Sequence, residues 1–176
     1  LHLLVEGLPR PVGGSVAIAA DGTVWAGSMG DRHDDQPGGG VSRFDGSAWT
    51  HFTLADGLVS DNTDVVDGPD GSVWAVAPDG LARYDGTEWV PYPEATGFGF
   101  GGAVDSDGVL WAPAVPPAEG ILGFDGSSVS QLTVSHTIET VDIDAGEVRL
   151  ALGERIGLPE NAWLDFLAGL CAFDTC

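Results

Sequence analysis

A chain of 176 residues is one domain's worth of polypeptide, and 43% hydrophobic, 19% charged residues with Gly 27 and Pro 11 mark it as globular and rich in turns. Lys+Arg 6 against Asp+Glu 27 gives a formal net charge of -21, which argues against nucleic acid and anionic membrane surfaces as partners. All six basic residues are arginines (Arg10, Arg32, Arg43, Arg83, Arg149, Arg155), so Schiff-base catalysis and a phosphate-loop lysine are excluded.

No window approaches the roughly 18 apolar residues of a membrane-spanning helix. Met29 is the only methionine and the chain opens Leu1-His2-Leu3-Leu4, the start expected of a trimmed or excised chain. That opening reveals nothing about compartment.

From the N-terminus, Leu3-Leu4-Val5-Glu6-Gly7-Leu8 matches Thr53-Leu54-Ala55-Asp56-Gly57-Leu58, so the chain begins inside the last strand of a repeat. Four strand-like runs follow, at residues 15–19, 23–26, 41–44 and 48–54, separated by Asp-Gly or Gly-rich breaks at hairpin spacing. The pattern then returns. Asp21-Gly22-Thr23-Val24-Trp25 is repeated as Asp70-Gly71-Ser72-Val73-Trp74 and as Asp107-Gly108-Val109-Leu110-Trp111. Gly40-Val41-Ser42-Arg43-Phe44-Asp45-Gly46 recurs at Gly80 to Gly86 and at Gly120 to Gly126, and a degenerate fourth copy runs from Gly169 to Asp174.

Four antiparallel strands in a period of about 40 to 50 residues is the unit of a β-propeller. We therefore expect an all-β chain of about four blades in a single domain. The blades are placed at about 15–58, 59–97, 98–135 and 136–176, with the N-terminal strand 1–8 closing the last one. Four repeats cut from a larger ring is the competing reading. Trp25, Trp74, Trp111, Phe44, Tyr84 and Phe124 are expected to fill the layers between blades, with carbohydrate stacking as the alternative.

On these motifs the chain resembles the two-component-regulator propeller repeat. The residues Gly80-Leu81-Ala82-Arg83-Tyr84-Asp85-Gly86 with Trp89 and Tyr92, and Trp49, Phe52 and Asp56-Gly57-Leu58, carry the likeness. It covers about residues 15–135 well and the last forty weakly, because Arg149 stands where the second-strand Trp belongs. The Asp-Gly-x-x-Trp strands are also similar to streptogramin-lyase-like propellers.

The resemblance implies an extracytoplasmic recognition domain, periplasmic, cell-surface or secreted, as in the sensor regions of bacterial two-component systems. Its partner would be a protein or a larger assembly, with a carbohydrate or small ligand as the alternative. A small metal-dependent propeller lyase or hydrolase is the enzymatic alternative, and an accessory subunit docked on a larger assembly is a third.

Candidate sites lie on loops longer than the repeat requires. The first blade inserts residues 28–39 between its second and third strands, and the fourth inserts 153–168. Asp31, Arg32, His33, Asp34 and Asp35 concentrate oxygen ligands and an imidazole in the first of these. They read either as a solvated acidic loop or as a ligand site, with Asp31, Asp34 and Asp35 as candidate ligands for a divalent cation such as calcium, although the run lacks the EF-hand pattern.

In the fourth-blade insert, residues 158–167 are expected to form one or two helical turns, Trp163, Phe166 and Leu167 sharing a face as private core or as a docking patch with Asp165 beside it. His136 and Glu139 could act as base and partner in a lyase, and His51, in the fourth strand of the first blade, is expected either to pack or to be exposed. Cys171 and Cys176 could form a disulfide across the last turn or stay free.

Overall fold

The structure, a computed structural model, describes residues 14–28 and 39–133, together with the strand backbones at 138–144, 147–152 and 163–165. The first sheet joins β1 (Val16–Ile18), β2 (Val24–Ser28), β3 (Gly40–Phe44) and β4 (Trp49–Phe52) in chain order. The second joins β5 (Asp64–Asp67), β6 (Val73–Ala77), β7 (Gly80–Tyr84) and β8 (Trp89–Tyr92). The third joins β9 (Ala103–Val104), β10 (Leu110–Pro113), β11 (Ile121–Phe124) and β12 (Val129–Leu132). A three-stranded sheet follows, of β13 (Ile138–Asp144), β14 (Glu147–Leu152) and β15 (Trp163–Asp165).

All strand pairs are antiparallel. The fold is an all-β propeller architecture of four-stranded meanders, and no α-helix occurs among the described residues.

The sharp reversals are made by side chains. Asp45 Oδ1 accepts from the backbone N–H of Ser47 at 2.8 Å and of Ala48 at 2.9 Å. Asp85 does the same for Thr87 and Glu88, and Asp125 for Ser127 and Ser128. Each of these aspartates is followed by a glycine in left-handed conformation, the combination that an aspartate-capped turn between strands demands. These backbone donors favour the charged carboxylate, drawing Asp45 and Asp85 down to about 2 and Asp125 lower still.

The chain divides into two compact units, Leu1–Thr96 and Gly97–Cys176. In the first unit, the face of the first sheet that carries Ala17, Trp25, Val41 and Phe52 packs on the face of the second that carries Val65, Val73, Ala75, Tyr84 and Trp89. The Trp25 ring is the centre: its centroid lies 4.9 Å from that of Tyr84, 5.7 Å from Trp89 and 6.0 Å from Phe52. Stacked, tilted and edge-on rings at these distances add about 0.5–1.5 kcal/mol per pair beyond area burial. In the second unit, Phe98, Leu110, Ile121 and Phe124 are almost wholly buried.

The C-terminal insert corrects two sequence expectations. Trp163 to Asp165 form a strand rather than a helical face, with Trp163 opposite Ala151, Leu164 opposite Leu150 and Asp165 opposite Arg149. The third strand of the fourth sheet therefore arrives at 163, ahead of the degenerate repeat at 169–174.

The physical reason is that β14 would otherwise present unpaired backbone groups along its length. A one- or two-turn helix is marginal by itself, whereas an adjacent Trp and Leu suit a pleated strand. Phe166, Leu167, Cys171, Cys176 and the closing strand expected at 1–8 lie outside the described residues.

Candidate functional site

The first-sheet excursion between β2 and β3 runs from residue 29 to 39, whereas its counterpart in the second sheet is closed by Pro78 and Asp79 alone. Asp31, Arg32, His33, Asp34 and Asp35 lie within the undescribed part of that excursion, but its two ends are well defined. Ser28 Oγ donates to the Gly40 carbonyl at 3.2 Å, and Thr63 Oγ1 donates to the same oxygen at 3.1 Å. The Thr63 N–H donates to the Ser28 carbonyl at 3.4 Å.

Gly40 has φ 124, and a Cβ there would run into the Phe52 carbonyl, so only glycine fits where the loop re-enters the sheet. The loop is thus mounted on a buried hydrogen-bonded clamp shared between two blades.

The connection from β4 to β5 meets it at this end. Thr53 and Asp56 form a capping box around the 3-10 turn Leu54–Asp56, which Gly57 ends in left-handed conformation. Ser60 Oγ then accepts from the Asn62 N–H at 3.2 Å. Asp61 is exposed. Asn62 Oδ1 is buried and meets no hydrogen-bond donor among the described residues.

Just behind, Ser15 ties the blades together. Its Oγ accepts from the Val65 N–H at 2.6 Å and donates to the Val65 carbonyl at 3.2 Å, while its own N–H donates to Asp64 Oδ1 at 3.1 Å.

A second feature escaped the sequence reading. Arg43 stands opposite Trp25, and Arg83 opposite Trp74, as cross-strand pairs. The Arg43 guanidinium lies 5.5 Å from the Trp25 ring and 5.9 Å from the Tyr84 ring, and its Nη1 donates to Tyr84 Oη at 3.4 Å. Arg83 lies 5.6 Å from the Trp74 ring and pairs with Asp70. Asp70 is held below the ordinary carboxylate range first by the Ser72 hydroxyl, with Arg83 adding to it.

The repeated Gly-x-x-Arg and Asp-Gly-x-x-Trp segments carried this pairing in plain view, since two strands of one hairpin with Trp and Arg at matched depth place them side by side. These arginines are stacked on the tryptophans of their own blades.

Ser42 and His51 are hydrogen-bonded at 3.0 Å, but Ser42 is only 4% exposed, so this pair belongs to the sheet, the packing alternative for His51. Glu139 falls at the register irregularity between Ile138 and Thr140 on β13, a bulge of the kind that often adjoins functional sites. His136 lies outside the described residues. Trp163 and Asp165 sit on β15, Asp165 in register with Arg149. Among the described residues no three His, Cys, Asp or Glu side chains gather as a metal ligand set.

No protein-family model and no curated protein matches the sequence. Solved structures do match in fold. Virginiamycin B lyase from Staphylococcus aureus aligns at TM-score 0.63 and 13% identity, over 82% of this chain and 51% of that one. The extracellular domain of the putative hybrid two-component system BT3049 from B. thetaiotaomicron aligns at TM-score 0.55 and 18% identity, over 78% of this chain and 20% of that one. YCF48 bound to D1 peptide aligns at TM-score 0.50 and 17% identity, over 82% and 49%. The chain thus spans about half the length of the lyase and of YCF48 and about a fifth of the sensor domain. At these identities the likeness establishes a shared propeller fold.

Proposed function

We propose that this chain is a non-catalytic recognition module of the propeller type, binding a protein partner or a small ligand at the end that carries the 29–39 excursion and the 53–63 connection. One observation carries the reading. A long acidic loop is mounted where the second blade needs only Pro78 and Asp79, and both its ends are clamped by Ser28, Gly40 and Thr63. A variable loop on a rigid two-blade support is how such scaffolds present binding residues. The Asn62 acceptor that meets no donor among the described residues sits on the same end.

An extracytoplasmic setting and a two-component-regulator type of repeat are part of this proposal. Support comes from the fold likeness to an extracellular two-component domain and to YCF48 with its peptide. Asp31, Arg32, His33, Asp34 and Asp35 are the proposed contact residues, with Asp31, Asp34 and Asp35 able to take a divalent cation such as calcium. Trp163 and Asp165 are proposed as a second contact point.

Affinity capture from the native source tests this, with elution in high salt and separately in chelator. One stoichiometric protein, lost when His33 and Asp34 are both changed to Ala, supports recognition through the loop. Capture unchanged by that double substitution removes the loop from the site.

The likeness to virginiamycin B lyase and the bulge at Glu139 favour one second reading, a small metal-dependent lyase or hydrolase. Metal-dependent turnover abolished by Glu139→Gln would establish it.

A further inference from the structure

Each of the three four-stranded sheets ends on an outer strand, and the ladder fixes which of that strand's backbone groups are already paired. The N–H of Asp45 donates to the Ala48 carbonyl, that of Asp85 to Glu88 and that of Asp125 to Ser128, and antiparallel pairs alternate from there. With the registers of β4, β8 and β12, the backbone groups at 50 and 52, 90 and 92, and 130 and 132 point into the sheet. The Phe52, Tyr92 and Leu132 carbonyls accordingly lie against Gly40, Gly80 and Gly120. Those at 49 and 51, 89 and 91, and 129 and 131 point outward from the edge.

The three edges differ in that outward row. β8 carries the exposed Pro91 there, which has no N–H to offer and so guards the edge against a further strand. β4 carries Trp49 and His51, both half-buried, with His51 bonded to Ser42, and runs directly into the capped turn Leu54–Asp56. β12 has neither protection. Its outward residues are Val129 and Gln131, every residue from Asp125 to Gln131 is exposed, and Val129 is exposed by 45%. The strand holds no proline and no charge, and among the described residues only β11 pairs with it.

We propose that β12 is a docking edge for an extended segment of a partner protein, which adds a fifth strand to the third sheet and carries basic residues at its two ends. The outward N–H and carbonyl groups of Val129 and Gln131 supply the pairing, as in strand addition to other open edges. Charge sets the class of partner. Asp125 stands at the start of β12, and Glu119 lies beside its far end, where its carbonyl accepts from Gln131 Nε2 at 2.9 Å. Both carboxylates are on exposed residues. A second copy of this chain is the poorer occupant, since each copy carries a net charge of -21. The edge is separate from the 29–39 loop, and its test is independent of recognition there.

The probe is a capped peptide, Arg-Thr-Val-Thr-Val-Thr-Arg, whose β-branched residues suit a strand, with an analogue ended by Glu in place of Arg as the charge control. Saturating Arg-ended peptide is expected to slow amide exchange at Val129 and Gln131 at least about tenfold, while Ser130, already bonded within the sheet, is unchanged. The Glu-ended peptide is expected to bind at least about tenfold more weakly. Slow exchange at Val129 and Gln131 in the free 176-residue chain would mean that the edge is already occupied, and overturns the proposal. So does an absence of slowing with peptide, or equal binding of the two peptides.

Two variants separate backbone pairing from side-chain contact. Gln131→Pro reproduces on β12 the solution that β8 carries at Pro91, a position where this blade type accommodates proline. It is expected to weaken the Arg-ended peptide at least about tenfold. Gln131→Ala keeps the backbone N–H and is expected to bind within about twofold of the native chain. Native-like binding by Gln131→Pro, or an equal loss in both variants, overturns the proposal, and the exchange measurement on the native chain needs neither variant to fold.

Discussion

Trp111 lies across Gly123, its cross-strand partner, so closely that a Cβ on Gly123 would come within 2.7 Å of the indole. In the first two sheets the same register position is an arginine stacked on the tryptophan opposite. In the third the arginine is gone, and the indole takes the space and donates its Nε1–H to Asp105 Oδ2 at 2.8 Å. One pairing thus has two solutions, a guanidinium on the ring or the ring on a glycine.

Gly123→Ala is therefore expected to push Trp111 aside and to cost about 1–3 kcal/mol, the usual penalty for overpacking. Denaturant unfolding followed by tryptophan fluorescence checks it. Combining Gly123→Ala with Trp111→Val should recover part of the loss, since the two changes share one space.

Arg43→Met removes a cation held against Trp25 and Tyr84 and is expected to destabilise the first unit by about 1–2 kcal/mol. Arg43→Lys should not restore it, because an ammonium cannot lie flat on the ring and reach Tyr84 Oη. Chemical unfolding of the two variants side by side decides this.

How far the sequence carried this architecture is shown by these same residues. The aromatic at 44, 84 and 124 and the Asp-Gly turns placed the strands of the first sheet to within about two residues and marked the second and third strands of the next two, because turn chemistry is local. The stacking of Arg43 on Trp25 was not read, since periodicity marks where a residue recurs and not what it touches across a hairpin. Trp163 was assigned to a helix because three apolar residues at helical spacing cannot reveal that β14 lacks a partner strand. The tie between Ser15 and Val65 depends on two blades meeting, which no single repeat encodes.

That tie yields a third prediction. Ser15→Ala leaves the buried Val65 N–H and carbonyl without the hydroxyl that serves both, at a cost of about 1–3 kcal/mol. Ser15→Thr keeps the hydroxyl and should retain most of the stability. Hydrogen exchange at Val65 reports the loss directly.

Acid stability follows from the turn aspartates. Folded values of about 2 for Asp45 and Asp85 lie below the unfolded value near 3.9. Their contribution is fully present above the unfolded value and is lost as pH falls from about 4 through about 2. Asp45→Asn with Asp85→Asn preserves the turn acceptor without the titration, so the slope of unfolding free energy against pH in that window should flatten. An unchanged slope would show that these turns do not govern it.

Recognition through the clamped loop end is tested most directly by hydrogen exchange on the captured complex, compared with the free chain. Protection gathered at residues 29–40 and 58–63, with the outer strands β4, β8 and β12 unaltered, is the expected result. Protection confined to those outer strands, with the loop end exchanging as in the free chain, would contradict it.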